Sequence, residues 1–321
     1  MPLIKEVPLM HRTLRRGLLI ATTMTVAIVG ITSTPVTAAA QPTQSTAANI
    51  LPRGLPSLTN GTCSLLWDLL NAGSRNGLVA IGLTANQQLI KFAASRPALA
   101  CTIGPVDLPG SEALIGIDFR IQDGLLYGVG SSGGIYTLNT RTAAATKISQ
   151  LTAALNGASF GVDFNPAADR LRIISDTGQN LRHNVNPGGT TIVDGPLIYP
   201  PSTAAVGVTG AAYTNNDLNP ATATTLFDID TTLDQVALQS PANSGQLVAT
   251  GALGVNANPQ AGFDIHSPLR GDRAVANNAY AVLNSLAGSR LYRIDLLTGE
   301  AETTGNFMNH VVLDLALLLR Q

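Results

Sequence analysis

Short stretches in which apolar and polar residues alternate recur along the chain from about residue 78 to its end. This two-residue period predicts β-strands rather than helices. Ile135-Tyr136-Thr137-Leu138-Asn139, Leu226-Phe227-Asp228-Ile229-Asp230 and Leu291-Tyr292-Arg293-Ile294-Asp295 are three of them. After the first comes Asn139-Thr140-Arg141-Thr142, and after the third Asp295-Leu296-Leu297-Thr298-Gly299, where Asn or Asp opens a turn and Gly supplies a positive φ. A stricter signature is interleaved with these strands. Gly116-Ile117-Asp118-Phe119 returns as Gly161-Val162-Asp163-Phe164 and Gly262-Phe263-Asp264-Ile265, with a weaker copy at Gly210-Ala211-Ala212-Tyr213 and a last one at Val312-Leu313-Asp314-Leu315. Counted from Asp118, the steps to Asp163, Tyr213, Asp264 and Asp314 are 45, 50, 51 and 50 residues. That period fits one four-stranded propeller blade and exceeds a solenoid rung.

Each signature strand is read as the first strand of a blade. Asp123-Gly124-Leu125-Leu126-Tyr127 and Asp169-Arg170-Leu171-Arg172-Ile173 fill the next slot, the three alternating stretches above fill the third, and 144–148 or 300–304 complete a blade as the fourth. The N-terminal copy has only strands two to four, at 78–83, 88–93 and 99–103, while 311–318 supplies a first strand at the other end of the chain. Joining the two ends in one blade hides the sheet edges that an open array leaves exposed. The expected fold is therefore all-β, a five-bladed propeller with blades at 112–150, 158–195, 207–250 and 260–305 besides the composite one. A six-bladed alternative needs a further copy, which the sequence does not show.

The first forty residues read as a signal peptide: Lys5, Arg12, Arg15 and Arg16 precede an apolar run at 17–31, and Ala38-Ala39-Ala40 follows as a small-residue cleavage pattern. The run is short for a bilayer span, so no membrane span is expected once the signal is removed. Residues 41–60, rich in Thr, Ala, Pro and Ser, read as a flexible linker, and 61–321 as the propeller domain. A short helix around Trp67 is expected to anchor that tryptophan on the core. The formal net charge of −1 comes without a basic stripe and speaks against a nucleic-acid partner. Export to an oxidising compartment makes the two cysteines, Cys63 and Cys101, a disulfide candidate. The four histidines are scattered and match no zinc spacing.

Ile117-Asp118-Phe119-Arg120, Leu126-Tyr127-Gly128, Phe164-Asn165-Pro166, Ser175-Asp176-Thr177-Gly178-Gln179-Asn180-Leu181-Arg182, Ala211-Ala212-Tyr213-Thr214-Asn215-Asn216 and Thr225-Leu226-Phe227-Asp228-Ile229-Asp230 carry a family resemblance. From 78 to 315 the chain resembles the bacterial family called domain of unknown function 4394. The resemblance implies a secreted β-repeat protein and supplies no catalytic residue.

Three groups of residues are candidates for chemistry. The Asp column, Asp118, Asp163, Asp264 and Asp314, comes from the innermost strands and converges on the axis if the side chains point there. Converging carboxylates bind Ca²⁺ through hard oxygens or act as a glycosidase acid and base; alternatively each makes a repeated hydrogen bond to a neighbouring turn. Arg172 and Arg182 replace core residues in blade three and fall opposite each other across a hairpin around Asp176-Thr177-Gly178, with His183 beside them. Two guanidinium groups so placed need a carboxylate or other oxyanion between them, from the chain itself or from a ligand. Asn215 and Asn216 lie in a polar loop after the first strand of blade four, either as a rim for ligands or as ordinary turn formers.

No nucleophile elbow, phosphate-binding loop or zinc-protease helix occurs in the sequence. The leading expectation is a secreted, non-catalytic binding module for an extracellular or envelope glycan or an exported protein, with no cofactor evident. Its rivals are a glycosidase-like hydrolase working through the axial carboxylates, with Ca²⁺ as its cofactor if it has one, and a structural matrix protein.

Overall fold

A computed structural model of the chain describes residues 77–319. The expected signal peptide, the linker, Trp67 and Cys63 lie outside the described residues. Cys101 opens the outer strand of the first blade and is not a free thiol.

Five four-stranded antiparallel sheets form a ring, and helix is confined to three single 3₁₀ turns among the described residues. Blade 1 joins Val79–Thr84, Gln88–Ala93 and Cys101–Pro105 to the C-terminal strand Val312–Leu317, which pairs with Val79–Thr84 from Ala80 opposite Leu317 to Thr84 opposite Val312. Blade 2 runs Leu114–Phe119, Leu126–Gly130, Gly134–Leu138 and Ala145–Gln150; blade 3 runs Phe160–Asn165, Arg170–Ser175, Asn180–His183 and Thr191–Val193. Blade 4 is Val208–Tyr213, Leu226–Asp230, Gln235–Gln239 and Leu247–Ala252; blade 5 is Ala261–His266, Asn278–Ser285, Gly288–Ile294 and Ala301–Asn306. The two ends of the described segment thus meet in one blade, and the count of five holds. One assignment changes: Leu226–Asp230 is the second strand of its blade, because the loop 214–225 separates it from the first strand.

Burial follows distance from the axis. Val208–Tyr213, an innermost strand, is buried at every position, whereas the outer strand Ala145–Gln150 is mostly exposed. The apolar core is five seams, one between each pair of adjacent blades. Edge-to-face aromatic pairs sit in two seams, Phe92 with Phe307 at 4.9 Å and Tyr127 with Phe164 at 5.1 Å. Each blade contributes one face to either neighbour, so both faces of every inner strand are buried.

Candidate functional site

The recurring Gly-x-Asp motif has two jobs at the axis. The glycine lets adjacent inner strands approach: a Cβ on Gly161 would lie 2.7 Å from the Ala211 amide nitrogen, and one on Gly262 would lie 2.6 Å from Asp314 Cα. The aspartate then ties one blade to the next through the main chain. Asp118 Oδ2 accepts from the Phe164 N–H at 2.7 Å, Asp163 Oδ1 from Tyr213 at 3.0 Å, Asp264 Oδ2 from Leu317 at 2.6 Å and Asp314 Oδ2 from Ile117 at 2.8 Å. Asp118, Asp264 and Asp314 also accept, through Oδ1, from the amide of their own following residue. Blade 4 carries Ala212 in this position, so the ring of carboxylates lapses there.

Three of these aspartates converge and the fourth does not. Carboxylate oxygens of Asp118, Asp163 and Asp264 lie within 4.8 Å of one another. Asp118 and Asp163 bond the residue that follows the motif's third position in the next blade, whereas Asp264 reaches Leu317 and Asp314 reaches back to Ile117. The inner strand of blade 1 therefore sits about two residues out of step, or roughly 6–7 Å along the axis. Asp314 accordingly packs at the level of Gly116 and Gly262.

All four carboxyls are buried, and their proton affinity rises accordingly. Desolvation, reinforced by the neighbouring carboxylates, pushes Asp118 and Asp163 well above the ordinary range; burial lifts Asp264 to about 7. Asp314 also moves up, mainly through burial. Three oxygen donors at this spacing suit a hard cation or shared protons. The concavities named below are bordered by other residues, not by these aspartates.

Arg172 and Arg182 stand directly opposite each other on neighbouring strands, and the oxyanion between them belongs to the chain. Asp194, just beyond the outer strand of blade 3, accepts from Arg172 Nη1 at 2.7 Å and from Arg182 Nε at 3.0 Å. Arg172 also donates to Tyr213 Oη at 3.1 Å, Asn180 Oδ1 at 2.7 Å and Asn243 Oδ1 at 2.8 Å, which staples blade 3 to blade 4. His183 does not join them. As the next residue along a strand it faces the other way, 2.8 Å from Ser149 Oγ of blade 2 and 3.0 Å from Thr191 Oγ1. Burial lowers its proton affinity below that of an ordinary imidazole.

The two asparagines of the blade 4 loop bind their neighbours. Asn215, at φ +60°, donates its amide to Asn277 Oδ1 at 2.8 Å and its side chain to Ala223 O at 2.7 Å. Asn216 donates to Ser267 Oγ at 3.0 Å and to Ile265 O at 2.8 Å, strapping blade 4 to blade 5. Sequence reasoning missed a comparable staple, in which Arg120 forks onto Asp169 at 2.6 and 2.7 Å while also meeting Asp123 at 2.9 Å, joining blades 2 and 3.

Concavities lie at the loop ends of the inner strands. Two cavities, of about 560 and 530 Å³, share Ile121, Leu218 and Leu319. These residues follow the inner strands of blades 2, 4 and 1, and His266 ends that of blade 5, so the pair of cavities caps the axis. Leu218 is 52% exposed there, and two buried acceptor-capable atoms on the walls, Gln122 Oε1 and His266 Nδ1, have no hydrogen-bond partner. Asp123, Asp217 and Asp272 add charge to the same walls. A polar groove of about 770 Å³ between blades 4 and 5 includes Asn215, Arg293, Glu300 and Glu302. No local sequence signal marks Ile121 or Leu218; only closure of the ring assembles them.

The sequence matches a family over residues 88–316, described as Domain of unknown function (DUF4394). The chain belongs to this family. No curated protein matches the DUF4394 chain significantly. Solved structures match the chain only at low identity. A protein of unknown function from Bacteroides thetaiotaomicron is 16% identical, with a TM-score of 0.43 over 74% of this chain and 63% of the other. An auxiliary nutrient binding protein from Bacteroides ovatus is 12% identical, with a TM-score of 0.37 over 67% of this chain and 56% of its own. A protein from Lactobacillus plantarum is 12% identical, with a TM-score of 0.36 over 75% and 99%. The chain thus spans less than two thirds of the length of the first two.

Proposed function

We propose that this DUF4394 propeller is an exported, non-catalytic binding module whose ligand, an extracellular or envelope glycan or an exported protein, sits on the loop face over the axis. The observation that carries this reading is the pair of adjoining cavities that share Ile121, Leu218 and Leu319. Loops from four blades line them, apolar surface adjoins carboxylates, and two wall atoms still need a partner. Concave, mixed-polarity surfaces on rigid scaffolds are where binding is usually found. The hydrolase alternative draws less support, since the axial carboxylates are buried and hydrogen-bonded to main-chain amides. The leader pattern at 1–40 supports export.

The test compares the mature chain, from Gln41 onward, with its Leu218→Asp variant across soluble polysaccharides and purified exported proteins. A ligand at a hundred times its Kd adds about 2.7 kcal/mol to stability, a readable rise in Tm. The expected result is a rise that Leu218→Asp removes while leaving the unliganded Tm near its original value. A ligand whose effect survives that change, or a saccharide that is hydrolysed, would overturn the reading.

A further inference from the structure

Asp228 is the one buried carboxylate among the described residues with both oxygens lacking a hydrogen-bond partner. It is fully buried, in the second strand of blade 4, and its cross-strand neighbours are Ala211 and Ala237. Diagonally adjacent on the same face is Gln239, paired with Leu226, whose Oε1 also has no partner although the residue is 2% exposed. The polar side chain facing Asp228 across the seam is Arg172, which already donates to Tyr213, Asn180, Asp194 and Asn243. Asp230 lies on the same face of blade 4 and holds the Tyr199 hydroxyl at 2.8 Å.

Three buried acceptors without donors in one seam are costly, and such groups in native proteins call for water, an ion or a strained function. The charges narrow the choice. In this seam Arg172 and Arg182 share Asp194, and burial raises the proton affinity of Asp228, so a carboxylate there needs a cation or a proton to offset its charge. Carboxylate and amide oxygens without nitrogen or sulfur donors are the ligands of hard cations. We propose that the seam between blades 3 and 4 holds a monovalent hard cation, Na⁺ or K⁺, on Asp228 Oδ1 and Oδ2 and Gln239 Oε1. The ion balances the seam and bonds all three acceptors, whereas a proton on Asp228 would engage one oxygen and neutralise the charge without reaching the rest. This site lies away from the loop-face cavities and stands or falls independently of them.

The test is the Tm of the mature chain at pH 8 in NaCl, KCl and choline chloride of equal ionic strength, for the parent and for Asp228→Asn and Gln239→Leu. The expected result is a higher Tm in one inorganic salt than in choline chloride, abolished by Asp228→Asn and reduced by Gln239→Leu. Because either variant can fail to fold, crystals of the parent grown in the stabilising salt give a second reading, with the cation within coordination distance of Asp228. Equal Tm values in the three salts, a salt response unchanged in Asp228→Asn, or a donor-bonded water in place of the ion would each overturn the proposal.

Discussion

At the scale of single residues, burial and crowding raise the proton affinity of the axial carboxyls. Asp118, Asp163 and Asp264 bind a proton more tightly in the folded chain than in the unfolded one, where carboxyls titrate near 3.8. Their contribution to stability is therefore fully present below that value and declines as pH rises through the range ending at about 7 for Asp264. Thermal unfolding is expected at a lower temperature at pH 8 than at pH 5, with a shallower slope in Asp264→Asn; a Tm that rises over this interval would contradict the assignment. The glycine of the same motif is equally constrained. Gly161→Ala drives a methyl into the Ala211 main chain and is expected to cost about 1–3 kcal/mol in denaturant unfolding. The repeat made both residue types visible. It did not show that His183 and Arg182 serve different seams, although strand alternation alone implies it, nor that Asp194 is the anion both arginines need.

Blades are legible as elements to the extent that they repeat. The first strands were read within a residue or two, because a Gly-x-Asp pattern recurs in three of the five and partial copies mark the other two. In blade 4 the third strand was misplaced, since the loop 214–225 carries no signature and Leu226–Asp230 alternates as well in the second slot as in the third. The most exposed element-level dependence is the closing blade. Deleting 311–321 removes Val312–Leu317, bares the edge of Val79–Thr84 and takes away the Leu317 amide that Asp264 accepts from. The deletion variant is expected to aggregate or lose cooperative unfolding in calorimetry. A truncated chain that melts like the parent would contradict closure by the two ends.

For the whole molecule, the ring makes three things that no single blade contains: a buried carboxylate cluster, five apolar seams and a loop-face concavity. The fold followed from the sequence because a repeated strand signature, a period near 50 residues and a missing first strand at one end admit few closed arrangements. The aspartates could also be placed near the axis from the sequence, since an innermost strand exposes them to one another. What only tertiary structure decided was their use. Two residues of slip in the closing strand removed Asp314 from the cluster, and main-chain amides of the next blade hydrogen-bond each of the four aspartates. Likewise the candidate surface is built from Ile121, Leu218, His266 and Leu319, which lie far apart along the chain and share no motif. Periodicity records local geometry repeated many times; a site assembled once from the ends of several blades leaves no period, and its residues become neighbours only when the ring closes.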